Sequence, residues 1–343
     1  MGVQVEGWIA RGASGQGKIA GHYKHFSPRR VTGRAAALTV RAVTARLSGG
    51  YEGIAMLGRF GRDAGSLLGV EIASGSIRML QARQQAGQYR VIGWACEKLE
   101  LPRPGGPDPM VCALRQAHRR CATRQRQVAV ALPASQVICK VCQVPRGACA
   151  QAIETQLLAE AGQLFPFPLD DLALDFQVLR PSANQPEAVD VLVAACRQSQ
   201  LDPLEQVFAQ AGLELVAMEI DSFVLQRVLG PEPSVGMALL QLEREELVLH
   251  RWQPDQLPQR QHLPLAAPGQ WCEAVSGLLQ LGGDKIDELV LSGVAADAAA
   301  AKRLSEQLGV SCRIVALPVA SLPVGFSSAT MALACGLAMG GLR

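Results

Sequence analysis

The chain has 343 residues, 49% of them apolar, with 33 Lys and Arg against 30 Asp and Glu, a formal net charge of +3. That length builds one large or two medium domains, each with a core. The composition argues against a membrane-spanning helix, because the longest apolar runs, at 128–132 and 331–342, fall short of the roughly 18 to 20 residues a span needs.

Ten cysteines lie scattered through strand-like and helix-like segments with no hydrophobic signal sequence, which reads as reduced thiols in cytosol. Charge is uneven. Residues 1–55 hold eight Lys and Arg against Glu6 and Glu52, an excess of +6 that leaves the rest of the chain at −3. An excess confined to one Gly-, Ser- and Arg-rich segment without periodicity is no sign of nucleic-acid binding. The segment reads as translation from a misplaced start, with Met56 opening the natural one; a disordered basic tail and a targeting segment are the alternatives.

From residue 67 apolar residues alternate through Leu68, Val70 and Ile72, then Ile77 and Met79, then Tyr89, Val91 and Gly93, the period of three strands in a meander. A Pro/Gly loop at 102–109 precedes a helix over 110–121, with Val111, Leu114, Ala117 and Cys121 on one stripe. A buried strand at 128–132 completes an α/β layer. An alternating strand over 137–144 then leads to a helix over 148–164 striped by Ile153, Leu157, Ala161 and Leu164. Phe165-Pro166-Phe167-Pro168 stops that helix, since proline lacks the amide donor and restrains the residue before it. Strands at 172–179 and 188–196 follow, then a helix from Pro203 to 211, a strand at 213–220 and a helix over 221–228 that Asp221 is placed to cap. Residues 230–233, Gly-Pro-Glu-Pro, read as a hinge. Beyond it come strands at 237–242 and 246–252, a helix at 270–281, a strand at 288–291, a helix at 298–308, a strand at 311–314 and a last helix at 330–339.

The two halves echo each other: hairpin, helix, strand, helix. Residues 67–80, LLGVEIASGSIRML, place an acid (Glu71), a small-residue turn (Ser74, Gly75, Ser76) and a cation (Arg78) in the order by which actin-like ATPase folds build a phosphate-holding hairpin. The expected fold is therefore α/β, an actin-like, duplicated ribonuclease-H-like arrangement of two domains with an inserted small subdomain and a reduced second domain. Residues 56–145 and 201–229 form the first domain, 146–200 the insert and 230–343 the second domain.

Glu154-Thr155-Gln156, Glu160-Ala161, Pro166-Phe167-Pro168-Leu169 and Ala173-Leu174-Asp175-Phe176 resemble the small-subdomain block of the PilM family of type IV pilus assembly proteins. Val189 to Leu192, Ala194 to Arg197, Glu219-Ile220-Asp221 and Ala334 to Ala338 extend the resemblance. It implies a cytoplasmic adaptor at the inner face of the bacterial inner membrane. Such an adaptor binds the cytoplasmic N-terminal peptide of PilN, a single-pass membrane protein, in a groove beside the small subdomain. An extended peptide gains affinity there through backbone hydrogen bonds and alternate side chains. Phe165, Phe167, Asp175 and Phe176 are the residues expected to line or shape that groove. Self-association is the other partnership the frame allows, and no nucleic acid is expected.

The resemblance also names ATP with magnesium as the cofactor of the frame, held by two phosphate hairpins and an adenosine loop. In the first hairpin Glu71 stands for the usual Asp, Ala73 for a glycine and Arg78 for Lys, which leaves it usable with Ser74, Gly75 and Ser76. The second, 237–249, offers Gln241, Glu243, Arg244, Glu245 and Glu246 where Asp-x-Gly and small hydroxyl residues belong. A carboxylate at the glycine position obstructs the backbone and repels phosphate. Gly293 is the surviving glycine of the adenosine loop, beside Val294, and the interval 262–286 is too short for a helical subdomain. The expectation is a pseudo-ATPase: no enzyme, no catalytic residue, no metal site, no cofactor. An ATP-binding protein or small-molecule kinase on the same fold is the alternative.

Two further features carry no expected chemistry. Cys139 and Cys142 match a CxxC spacing, yet in an extended strand they point to opposite faces. The run of Arg115, His118, Arg119 and Arg120 with Arg124 and Arg126 lies at a helix end, where cations favour the dipole and water solvates them. Self-anchoring through a C-terminal amphipathic helix, as in FtsA-type proteins, is not expected from the Gly-rich, singly charged tail.

Overall fold

The structure is a computed structural model that describes residues 67–340 except 86, 103, 184, 231–233, 255, 266–270 and 281–284. The readings of residues 1–55, of Met56 as a start and of most of the 230–233 hinge lie outside the described residues. Among those described, no helix is long and apolar enough to cross a membrane.

The opening alternation folds as the antiparallel meander β1 (Leu68–Ala73), β2 (Ser76–Gln85) and β3 (Gln88–Lys98). Helix α1 (Pro109–Arg120) starts where the Asp108 carboxylate accepts from the Met110 amide at 2.7 Å, with Pro109 in the first turn, where its missing donor costs nothing. It lays Val111, Ala113, Leu114 and Ala117 on the sheet and returns the chain to β4 (Gln127–Leu132), parallel to β1. Next come β5 (Ile138–Pro145), α2 (Ala150–Leu164), β6 (Leu172–Pro181) and β7 (Ala188–Arg197), with the three strands forming their own antiparallel sheet in the order β5-β7-β6. Helix α3 (Gln198–Ala211), β8 (Glu214–Ile220), parallel to β4, and α4 (Asp221–Leu229) complete the first lobe. Its sheet runs β3-β2-β1-β4-β8.

The insert is built on a two-faced sheet. Leu174, Phe176, Val191 and Val193 take the Ile153-Leu157-Ala161 stripe of α2, while Ala173, Leu192, Ala194 and Cys196 on the other face join the first lobe's core. β5 is an edge of this sheet and pairs with β7, so it shares a sheet with strands of the 146–200 segment.

The second lobe repeats the first: β9 (Met237–Leu242), β10 (Glu246–Arg251), β11 (Gln259–Pro264), α5 (Trp271–Gln280), β12 (Glu288–Ser292), α6 (Ala298–Leu308) and β13 (Ser311–Ile314), in the order β11-β10-β9-β12-β13. The sequence reading lacked β11. Its residues, QRQHLP, carry no apolar alternation, and the ladder to β10 alone makes it a strand. Helix α7 (Ala332–Gly340) then crosses back to the first lobe. A Cβ on Gly69 of β1 would sit 2.0 Å from the Ala334 carbonyl oxygen, and one on Gly336 of α7 would sit 2.7 Å from the Val224 side chain in α4. Small residues thus let α7 lie with its backbone against β1 and α4, tying the lobes together.

Two local expectations need correction. Helix α3 starts at Gln198, with Pro203 inside it, because Asp171 accepts from the Ser199 amide at 2.8 Å and supplies the cap from across the chain. Asp221 is the first residue of α4 and not the residue before it; its Oδ1 accepts from the Ser222 amide in the first turn at 2.7 Å, and the carboxylate also reaches Ala134 and Arg260.

Candidate functional site: the cleft between the lobes

Strand registers make the two hairpins superimposable residue by residue. Glu71 faces Arg78 and Ala73 faces Ser76 across β1 and β2. Across β9 and β10 Gln241 faces Val248, and the Glu243 amide donates to the Glu246 carbonyl at 3.1 Å to close the turn. Val70 and Leu240 enter the lobe cores, so the alternation turns Glu71 and Gln241 to the cleft. Glu243 therefore occupies the position of Ala73, and Val248 that of Arg78.

The consequence is a charged contact between the lobes. Arg78 Nη1 donates to Glu71 Oε1 and to Glu243 Oε1, each at 2.8 Å, and Arg78 Nη2 donates to Glu243 Oε2 at 2.7 Å. The guanidinium is 1% exposed, Glu243 5% and Glu71 4%. A planar fork on a carboxylate is the strongest geometry such a pair has, and burial makes it costly to break from one side. Burial pushes the Glu71 carboxyl up to about 7; the neighbouring Arg78 charge opposes that shift and Glu243 adds to it. Glu71 Oε2 and Arg78 Nε have no hydrogen-bond partner.

Beside this contact runs a second polar chain. Asp221 Oδ1 accepts from the Ala134 amide at 3.0 Å, and Oδ2 from Arg260 Nε at 2.9 Å. Ser222 Oγ meets His250 Nδ1 at 2.9 Å, and His250 Nε2 meets Gln241 Oε1 at 2.9 Å. An amide oxygen only accepts, so the His250 proton sits on Nε2 and Nδ1 accepts from the serine hydroxyl. Burial holds the imidazole down at about 4, hence neutral. Sequence reasoning missed this chain: Arg260 lies on the unrecognised β11, and a lone histidine in an apolar strand gives no motif.

Several of these groups face a cavity of about 160 Å³, whose wall includes Glu71, Asp221, Gln241, Glu243, Glu246 and Arg260. The other residues assigned to nucleotide lie apart from it. Ser74 and Gly75 form an exposed turn and Ser76 is half-buried. Gly293 has φ +97°, and a Cβ there would lie 2.4 Å from the Leu242 carbonyl oxygen, so this glycine serves the packing of its loop on β9. Among the described residues no cluster of His, Cys, Asp and Glu suits a metal ion. Cys139 faces the first lobe's core and Cys142 the insert's, and all ten cysteines are free.

On the insert, Phe165 and Phe176 meet in its core. Phe167 is half-buried under the Arg197 guanidinium, 5.4 Å from the ring centre. Asp175 is buried on the face of β6 opposite α2, bonded to the Phe176 amide at 2.8 Å, and desolvation pushes it up to about 7. The four are not brought to one surface: Phe165, Phe176 and Asp175 shape the insert from within, and Phe167 reaches its rim.

Residues 69–232 match the family model of type IV pilus assembly protein PilM. Among solved structures, a PilM-PilN type IV pilus biogenesis complex is similar with TM-score 0.60 at 21% identity, over 81% of this chain and 99% of that one. Looser likenesses are the cytoplasmic domain of EpsL from the type II secretion system of Vibrio cholerae (TM-score 0.41, 18% identity, 81% and 94% covered) and ethanolamine utilization protein EutJ from Carboxydothermus hydrogenoformans (0.44, 11%, 83% and 92%). The family match falls on the first lobe and its insert, 164 of the 343 residues, and the likeness to the pilus biogenesis complex extends to the fold, whose doubled sheet order is that of an actin-like protein.

Proposed function

We propose that this protein is a cytoplasmic scaffold of type IV pilus assembly at the inner-membrane face, which binds the N-terminal cytoplasmic peptide of a PilN-like single-pass partner beside the insert and has given up nucleotide. The family-model match over residues 69–232 supports the pilus role. The observation that carries the loss of nucleotide is the Arg78–Glu243 contact: the cation that should meet phosphate is already held by a carboxylate from the opposite hairpin. The residues present do not fit ATP with magnesium. Four carboxylates face a cavity of about 160 Å³, below the roughly 300 to 1,000 Å³ of small-molecule pockets. The arginines of the site, Arg78 and Arg260, are already held by Glu243 and Asp221 and so are not offered to a triphosphate.

Two measurements test this. The immobilised peptide of a candidate partner should retain the full chain, and Phe167→Ala, at the rim of the insert, should weaken retention while the protein stays folded. Failure of the intact chain to bind any such peptide would sink the scaffold reading. Titration with ATP and magnesium should give no saturable signal in the micromolar range; a micromolar affinity would restore the kinase or ATPase alternative.

A further inference from the structure

The segments that build one pole of the first lobe are free of acids. Between Glu71 and Glu97 stands no Asp or Glu, and none stands between Asp108 and Glu154, in a chain whose residues beyond 55 sum to −3. The fold superimposes these two segments. Arg83 and Arg90 are directly opposite each other across β2 and β3, both exposed. Like charges in that position repel; Arg90 Nη1 donates to the neutral Gln85 Oε1 at 3.5 Å. The turn after α1 lies beside them: a Cβ on Gly93 would meet the Cys121 carbonyl oxygen at 2.3 Å, and Thr123 Oγ1 donates to Gln81 Oε1 at 2.6 Å. Gln81 is two residues from Arg83, on the same face of β2. Arg119, Arg120 and Arg124 are thereby brought to the edge of the Arg83/Arg90 pair, all exposed. Of the carboxylates around them, Glu97 takes Arg120 at 2.7 Å, while Glu214, at the start of β8, takes the Gln127 amide at 3.3 Å. Ile92, at the β3 irregularity, adds an apolar side chain 45% exposed.

We infer that this arginine pole is a docking surface for the anionic headgroups of a membrane leaflet. The cations are all arginine, whose planar fork matches phosphate oxygens in pairs. The described chain enters at this same pole, since Leu68 at the start of β1 pairs with Gln81, and the 66 residues before it add ten Lys and Arg against three acids. A membrane fits better than a nucleic acid because, among the described residues, the aromatic side chains nearby, Tyr89 and Trp94, pack with Phe326 and α7 behind the sheet and leave no ring for base stacking. The inference rests on the scaffold reading for placing the protein near a leaflet, and it turns the pole toward that leaflet while the insert takes the peptide.

The test is flotation of the full chain with vesicles of neutral lipid alone and with about 30% anionic lipid, at about 50 mM and about 300 mM salt. Binding is expected to anionic vesicles only and to fall with salt. The quadruple variant Arg83→Gln, Arg90→Gln, Arg119→Gln, Arg124→Gln should lose about fivefold in partition per arginine. A matched variant with Arg29, Arg30, Arg34 and Arg41 changed to Gln separates the pole from the preceding segment. Loss there with none from the pole variant overturns the inference, as does binding of a DNA duplex at ~150 mM salt in place of vesicles. Peptide retention by the quadruple variant shows that it is folded. A chain that holds the peptide but ignores anionic vesicles refutes the docking surface and spares the scaffold, whereas loss of peptide binding alone refutes the scaffold.

Discussion

The first and second hairpins share a register but have diverged in opposite directions, position against position. Where the first has Gly69, Glu71, Ala73 and Arg78, the second has Leu239, Gln241, Glu243 and Val248. Gly69 gives up a side chain so that α7 can lie on the strand, while Leu239 fills a core between the lobes. Arg78 keeps a cation and Glu243 brings an acid to it. Two hairpins of one register contribute the two halves of a buried ion pair. Neither half makes sense without the other.

Removing the cation should break this arrangement most severely. Arg78→Ala leaves two buried carboxylates without their partner and should cost about 3 to 5 kcal/mol in denaturant unfolding. A cost below 1 kcal/mol would mean that the pair is solvated. Gly69→Ala comes next, since a methyl 2.0 Å from the Ala334 oxygen forces α7 off β1, with an expected loss of about 1 to 3 kcal/mol; the matching change in the second hairpin, Leu239→Ala, should fail for the opposite reason, a cavity. Glu243→Gln sharpens the comparison further. It keeps the Glu71–Arg78 bond and one bond of the fork, so about 1 to 2 kcal/mol should go. If that variant gains ATP binding, the carboxylate alone was the block.

The smallest effect has the clearest sign. Glu71 is raised from 4.5 to about 7 by burial, so the folded state holds its proton longer and stability falls as pH rises across that window. His250 is lowered from 6.5 to about 4, so the unfolded state takes up the proton first and stability rises with pH between those values. The two oppose each other between about 4.5 and 6.5. In Glu71→Gln the His250 slope should emerge, with the unfolding midpoint climbing more steeply with pH than in the wild type. An unchanged slope would show that Glu71 titrates as a solvated carboxyl.

Most of the fold was legible because burial is periodic. The stripes of α1 and α2 each report one buried face, whereas β1, β2 and β9 are short apolar runs buried on both faces. The proline run that ends α2 was readable from backbone chemistry alone. Strand β11 was not, since its stability comes from ladder bonds to β10 that any sequence can make. The first residue of α3 was hidden too, because its cap, Asp171, comes from a turn 27 residues upstream and not from the residues before the helix.

The candidate site was half legible. The acid at 243 was readable from the sequence as a departure from the expected glycine. Its pairing with Arg78, 165 residues away, had no local signature. The four insert residues came from the family resemblance as groove residues, and whether Asp175 faced solvent or protein depended on a first-lobe core that covers the other side of the sheet.

By itself, then, the sequence determined the elements, the duplication and the loss of a glycine-lined second hairpin, because helix and strand periods, proline stops and turn chemistry are local. Tertiary structure decided which charges meet: the Arg78 fork on Glu243, the Asp221–Arg260 tie and the arginines gathered at one pole. Ion pairs and charged faces join residues distant along the chain, and only the crossing of strands and helices brings those residues within reach.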